Sequence, residues 1–381
     1  MSSKSTFYSA GKKGASILIP DGENLLLMSV VNCLSVSKRY AIFVISTTRN
    51  NAMRHSRLIS GYYHCPMEDN HNAWLAQIDQ VVHAHGIDLI LPISEIGIHT
   101  LLTHRAQLRN SKKLAILPAL DAFEIAADKG RLSDFLLAKR VPCPKGEVIR
   151  STNDLKKLKE LQFPLISKPV KGFGGGEHIK IFKEQAALVA HFSKNPFVRA
   201  HIVQEYIKGY DIDCSVLCEN GVILAYTIQK GIVWEATDFA PACGVRFVHE
   251  PKLLAVVEKL MKLLKWSGIA HIDLRFDEKD QQFKVIEINP RFWLSVEASL
   301  AAGVNFPSLY VLRNLAEKIP QPEYKHTSYL NFRGLKIRAG EDRRILVKKG
   351  FLLNSTPVRY ALKDPIPVLA KFLSARLKIF K

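Results

Sequence analysis

The sequence predicts a mixed protein, a parallel-sheet α/β domain followed by an α+β region. Three observations carry this. Residues 15–94 alternate short apolar strands with helical stretches, residues 271–291 read as a hairpin, and a strand near 165 runs into a loop with four glycines. The 381 residues, 47% hydrophobic and 23% charged, suffice for two or three domains with cores of their own.

Ala15–Gly22 opens with an apolar strand and a turn, Asn24–Ser37 carries a helical apolar pattern, and Tyr40–Ser46 is a second buried strand. His71–His85 is again helical, and residues 86–94 form a strand ending in polar residues. Strands separated by helices pair in parallel through crossover connections. The first turn lacks Gly-x-Gly-x-x-Gly, so a dinucleotide site there is not supported. From Ala119 the pattern changes. One helix over Leu120–Lys139 is stopped by Val-Pro-Cys-Pro-Lys, and paired strands follow, with a helix near Val296–Ala302. The expected boundaries are a basic tail over 1–14, the α/β domain over 15–118, the α+β region over 119–320 and a small basic extension over 321–381.

No run approaches the roughly 18 apolar residues of a membrane span, and the N-terminus shows no export signal, so a cytoplasmic location is expected. Six cysteines without Cys-x-x-Cys spacing are expected reduced and buried; Cys243 is a minor candidate nucleophile. The formal net charge of +19 favours anionic partners. No aromatic-interleaved basic stretch points to a specific nucleic acid. Residues 365–381 could form an amphipathic helix; packing on its own domain is preferred over weak contact with an anionic membrane.

The chemistry concentrates in three places. Along His-Ile-Asp-Leu-Arg-Phe (271–276) and Val-Ile-Glu-Ile-Asn-Pro-Arg (285–291), alternation turns Asp273, Glu287 and Asn289 to one side. Two carboxylates and a carboxamide oxygen make a hard oxygen site suited to Mg²⁺. In residues 163–180 a strand ends at Lys168, and Gly172, Gly174, Gly175 and Gly176 let backbone N–H groups approach phosphate oxygens closely. Residues 202–216 form two strands joined by a Gly-containing bend able to read an adenine edge.

The order Lys129, Lys168, glycine loop, bend, Asp273, Glu287-Ile-Asn289-Pro-Arg291 closely resembles the ATP-grasp superfamily over roughly residues 15–320. The resemblance implies a Rossmann-like N-terminal domain and an ATP-grasp fold of two α+β subdomains that grip ATP. It makes Lys129 and Lys168 phosphate ligands, and Gly172 with Gly174–Gly176 a lid. Glu205, Tyr206 and Ile207 would meet adenine and Asp211 ribose. Asp273, Glu287 and Asn289 would hold Mg²⁺ or Mn²⁺, and Arg291 would stabilise the transferring phosphate. The implied activity joins a small-molecule carboxylate to an amine through an acyl phosphate, giving ADP and phosphate. The alternatives are carboxylation through carboxyphosphate and a non-catalytic ATP-binding regulator. Gln204 replaces an acid found in several relatives. His271 stands where D-alanine–D-alanine ligases carry an arginine, so dipeptide ligation is not assigned. Residues 292–297 depart from the biotin carboxylase pattern. Arg246 is a candidate to face the substrate carboxylate; Lys230 is a lesser one, a solvated lysine at a turn being preferred.

Overall fold

The computed structural model describes residues 14–66, 71–172, 178–194, 199–236, 239–320 and 322–379. They fall into two compact units, one from 1–117, 291–324 and 339–381, the other from 118–290 and 325–338.

In the first unit, strands β1 (Ala15–Ile19), β2 (Tyr40–Ser46), β3 (Gly61–His64) and β4 (Leu89–Ile90) form a parallel sheet in the order β3-β2-β1-β4. The helix His71–His85 buries Trp74, Leu75, Ile78, Val81 and Val82, the recurrence expected of a helix with one apolar face. The strand expected over 86–94 is reduced to two residues. Leu91 N still donates to Leu18 O, but Pro92 has no N–H with which to continue the ladder. Before the C-terminal helix Pro365–Ile379, Lys363 Nζ donates to Ser35 O at 3.3 Å and Ser56 Oγ donates to the Asp364 carboxylate. These contacts tie that segment to the first unit. Among the described residues no helix is long and apolar enough to cross a membrane.

Asp21, in the turn after β1, is fully buried and accepts hydrogen bonds from the Ile93 and Ser94 amides at 3.0 and 2.6 Å. Burial pushes its carboxyl up to about 7 against the pull of those bonds. The folded state therefore holds a proton that an unfolded aspartate, near 3.8, has released. The stability this confers is complete below the unfolded value and is lost as pH rises through about 7. Denaturant titrations at about pH 5 and pH 8 should show wild type losing roughly 2–3 kcal/mol more than Asp21→Asn.

The second unit holds two antiparallel sheets. Strands β5 (Gly146–Ile149), β6 (Leu165–Pro169), β7 (Lys180–Phe182) and β8 (His201–Glu205) run in the order β5-β8-β6-β7. Strands β9 (Gly209–Glu219), β10 (Val222–Val233), β11 (Gly244–Val248), β12 (Gly268–Asp277), β13 (Gln282–Asn289) and β14 (Ser328–Leu330) run in the order β13-β12-β9-β10-β11-β14. The helix Pro251–Leu264 lays Leu253, Val257, Leu260, Met261 and Leu264 against one face of the larger sheet, meeting Cys214, Val216, Ile228, Ile272 and Leu274. Each such side chain contributes on the order of 1.5–3 kcal/mol by leaving water. The opposite face carries Asp213, Ser215, His271 and Asp273 beside apolar residues such as Leu217 and Ile269. Cys214 and Cys218 share the core face as free thiols.

The single helix expected over Leu120–Lys139 is two helices, Leu120–Ala127 and Lys129–Ala138. Asp128 separates them because its backbone is extended and its carboxylate caps the second helix, accepting from the Gly130 and Arg131 amides at 2.9 and 3.0 Å. Gly209, which opens β9, has φ +154° and would place a Cβ 1.8 Å from Phe276 O. Gly209→Ala should cost roughly 2–4 kcal/mol by chemical denaturation, since neither backbone can yield without opening the β9–β12 ladder.

Candidate functional site

The site occupies the polar face of the larger sheet in the second unit. Asp213 on β9 pairs in register with Asp273 on β12, and Asp273 with Glu287 on β13. Directly paired residues point the same way, so three carboxylates share one face. Glu287 reaches it through a β-bulge. The register passes from Asp273–Glu287 to Leu274–Val285, leaving Ile286 unpaired. Without that extra residue, Glu287 and Asn289 would share a face with the core residues Phe283 and Val285. The adjacent apolar pair Val285-Ile286 is the sequence trace of the bulge.

Two lysines come to the same place from other elements. Lys129 starts the helix capped by Asp128, its amide donating to Val170 O at 3.1 Å just beyond β6. Its Nζ lies 3.0 Å from Glu287 Oε2. Lys168 stands on the face of β6 opposite Leu165, whose side joins Val203, Phe182 and Phe192 in a small core. It is almost fully buried. Burial pushes its ammonium down to about 8, with Lys129 adding to the shift while Glu287 and Asp273 oppose it.

Around Asp273, Asn289 Nδ2 donates to Oδ2 at 3.3 Å, and His271 Nε2 lies 3.4 Å from Oδ1. His271 Nε2 is also 4.0 Å from Asp213 Oδ2, while its Nδ1 is 2.9 Å from Ser215 Oγ. Burial pushes the Asp213 carboxyl up to about 7, and the nearby Asp211 carboxylate adds to the shift.

The bend between β8 and β9 is held by Arg275 of β12. Its Nε donates to Ile207 O at 2.7 Å, Nη2 to Gly209 O at 2.9 Å and Nη1 to Asp211 Oδ1 at 2.6 Å. Its guanidinium also stands 5.3 Å from the centre of the Tyr206 ring. Among the described residues, nothing accepts from the Ile207 amide, and the buried Gln204 Oε1 has no hydrogen-bond partner. Glu205 accepts from the Gln162 amide at 3.0 Å through Oε1.

The structure thus brings Lys129, Lys168, Asp273, Glu287 and Asn289 together, with the 205–211 bend in the same unit. Gly172, at φ +150°, is described; Gly174, Gly175 and Gly176 lie outside the described residues. Arg291 belongs to the first unit, where its Nη1 donates to Phe292 O at 2.8 Å and its Nε lies 3.9 Å from Glu95 Oε2. Three sequence candidates gain no support. Lys230 and Arg246 pair with each other, and the pleat puts them on the side of Ile228 and Cys214, opposite the carboxylates. Lys230 Nζ sits 3.8 Å from the centre of the Tyr210 ring instead. Cys243 is buried and its thiol pushed up by that burial, which disfavours the thiolate a nucleophile needs. Asp213 and Arg275 escaped the sequence reading. Both carry the same alternation as Asp273, which was the available signal.

Residues 126–295 match the ATP-grasp domain family. The carbamoyl phosphate synthase large chain of Thermoanaerobacter sp. (strain X514) is 25% identical over 215 residues, 54% of this chain and 20% of that protein. The D-alanine–D-alanine ligase of Wolbachia pipientis wMel is 29% identical over 203 residues, 49% of this chain and 64% of that one. The matched stretch is therefore only part of either relative. The structure of N5-carboxyaminoimidazole synthetase from Staphylococcus aureus complexed with ADP superposes with a TM-score of 0.68 at 16% identity, covering 89% of this chain and 88% of that one. Sequence match and superposition agree: residues 126–295 match the ATP-grasp domain family, and the chain shares its fold with the Staphylococcus aureus synthetase.

Proposed function

We propose that this chain is an ATP- and Mg²⁺-dependent ligase that activates a carboxylate as an acyl phosphate and joins it to an amine. The observation that carries the reading is the Lys129–Glu287 pair beside Lys168, Asp273 and Asn289. Clustered carboxylates are costly without a cation, and here a lysine ammonium stands in for one. The Asp273, Glu287 and Asn289 oxygens fit Mg²⁺, which prefers hard oxygen donors. The bend fits adenine, because Gln204 Oε1 offers an unmet acceptor to an amino group and the Ile207 amide an unmet donor to a ring nitrogen. The Glu205 carbonyl and Tyr206 belong to this edge, and Asp211 is assigned to ribose, with Arg275 holding its carboxylate in place.

Bound Mg²⁺ would supply charge neutralisation at the phosphates. Lys129 and Lys168 hold phosphate oxygens, and Arg291 is assigned to balancing charge on the transferring group. The substrate carboxylate oxygen attacks the γ-phosphorus and the bond to ADP breaks. The amine nitrogen then attacks the acyl carbon, phosphate leaves, and the amine proton passes to solvent. Positioning and preorganised charge suffice, and no side-chain nucleophile is needed.

Hydroxylamine can replace the unknown amine. Purified protein with Mg²⁺-ATP, hydroxylamine and pooled carboxylates is expected to form hydroxamate in step with ADP. Bicarbonate-stimulated ADP release without hydroxamate would move the reading to carboxylation. AMP and pyrophosphate in place of ADP would contradict phosphoryl transfer.

A further inference from the structure

We propose that Asp213, His271 and Asp273 form a second divalent-cation site, which takes a transition metal such as Zn²⁺ through an imidazole nitrogen. It lies on the sheet face already described and shares Asp273, but it uses two side chains with no part in nucleotide binding. One ligand atom from each residue lies within 4.8 Å of the others. Metal–ligand bonds of about 2.0–2.2 Å place neighbouring ligands roughly 3.0–3.5 Å apart. The 3.4 Å from His271 Nε2 to Asp273 fits that spacing, and the 4.0 Å to Asp213 needs a movement of about half an ångström.

The ligands are also held from behind. Ser215 stands opposite His271 in the β9–β12 register, and its Oγ lies 2.9 Å from Nδ1, which directs Nε2 at the two carboxylates. When the hydroxyl accepts from Nδ1–H, the ring is the tautomer whose Nε2 lone pair faces the carboxylates. Gln229, opposite Asp213 on β10, donates to Asp213 Oδ2 at 3.4 Å, and Asn289 donates to Asp273. Such outer partners fix ligand orientation and tautomer at metal sites. One imidazole with two carboxylates favours a borderline transition metal over Mg²⁺, which prefers oxygen alone.

The test uses Zn²⁺ and the full chain without nucleotide, so its failure leaves the nucleotide reading untouched. Zn²⁺ titrated in the presence of millimolar Mg²⁺ is expected to occupy one site per chain. It should shift the Nε2 resonance of a single one of the 13 histidines in ¹⁵N-histidine spectra, a readout that needs no variant. His271→Ala and Asp213→Asn should each weaken that binding at least about 100-fold, and Ser215→Ala about 10-fold through loss of orientation. No Zn²⁺-dependent histidine shift, or Zn²⁺ binding unchanged in both His271→Ala and Asp213→Asn, would overturn the proposal. So would equal displacement by Mg²⁺.

Discussion

Glu287→Gln is expected to lower Mg²⁺-ATP turnover by about 10³-fold or more while the protein stays folded. The substitution keeps the shape and a carbonyl oxygen but removes the charge that faces Lys129 at 3.0 Å. Two consequences have opposite signs. Without its carboxylate the oxygen set holds Mg²⁺ poorly, so metal-dependent chemistry fails. With one negative charge gone beside the phosphates and Lys129 released, ATP should bind as well as in wild type, or better, when Mg²⁺ is absent. Steady-state ADP release together with metal-free nucleotide titration checks both. Equal loss of metal-free binding would mean that Glu287 supports the fold rather than the metal.

Lys168→Met should cut turnover about 100-fold and weaken ATP binding roughly 10- to 100-fold, yet stabilise the folded protein by about 1–3 kcal/mol near pH 7. Lys168 is held charged against its own burial, which pushes its ammonium from 10.5 to about 8. Because the folded value lies below the unfolded one, the folded state binds fewer protons between about 8 and 10.5, and wild-type stability rises through that window. Methionine fills similar volume without the charge and should flatten the rise. Denaturant titrations at about pH 7 and pH 10 for both proteins test this. A variant less stable at the lower pH would show the charge to be structural.

These expectations rest on features that the sequence reveals unequally. The hairpin carrying Asp273 and Glu287 is legible because strand alternation and the intervening turn are local. Lys168 is legible for the same reason, at the end of β6 ahead of its glycines. Facing is harder. Glu287 and Asn289 reach the polar face only because Ile286 bulges out, and Lys230 and Arg246 miss it by one step of the pleat. Arg275 shares the local alternation of Asp273, whereas Asp213 joins the site through the pairing of β9 with β12, segments about sixty residues apart. The break at Asp128 is a contest between propensity and capping. A continuous apolar period spans it, but the carboxylate satisfies two free amides of the second helix and so starts a new one.

Calorimetry of nucleotide binding with and without Mg²⁺ is the decisive measurement. Wild type is expected to bind Mg²⁺-ATP with a dissociation constant on the order of micromolar, and at least about 10-fold more weakly without the metal. Glu287→Gln is expected to lose that metal dependence. Absence of ATP binding by the wild-type chain, or binding indifferent to both Mg²⁺ and Glu287, would contradict the account.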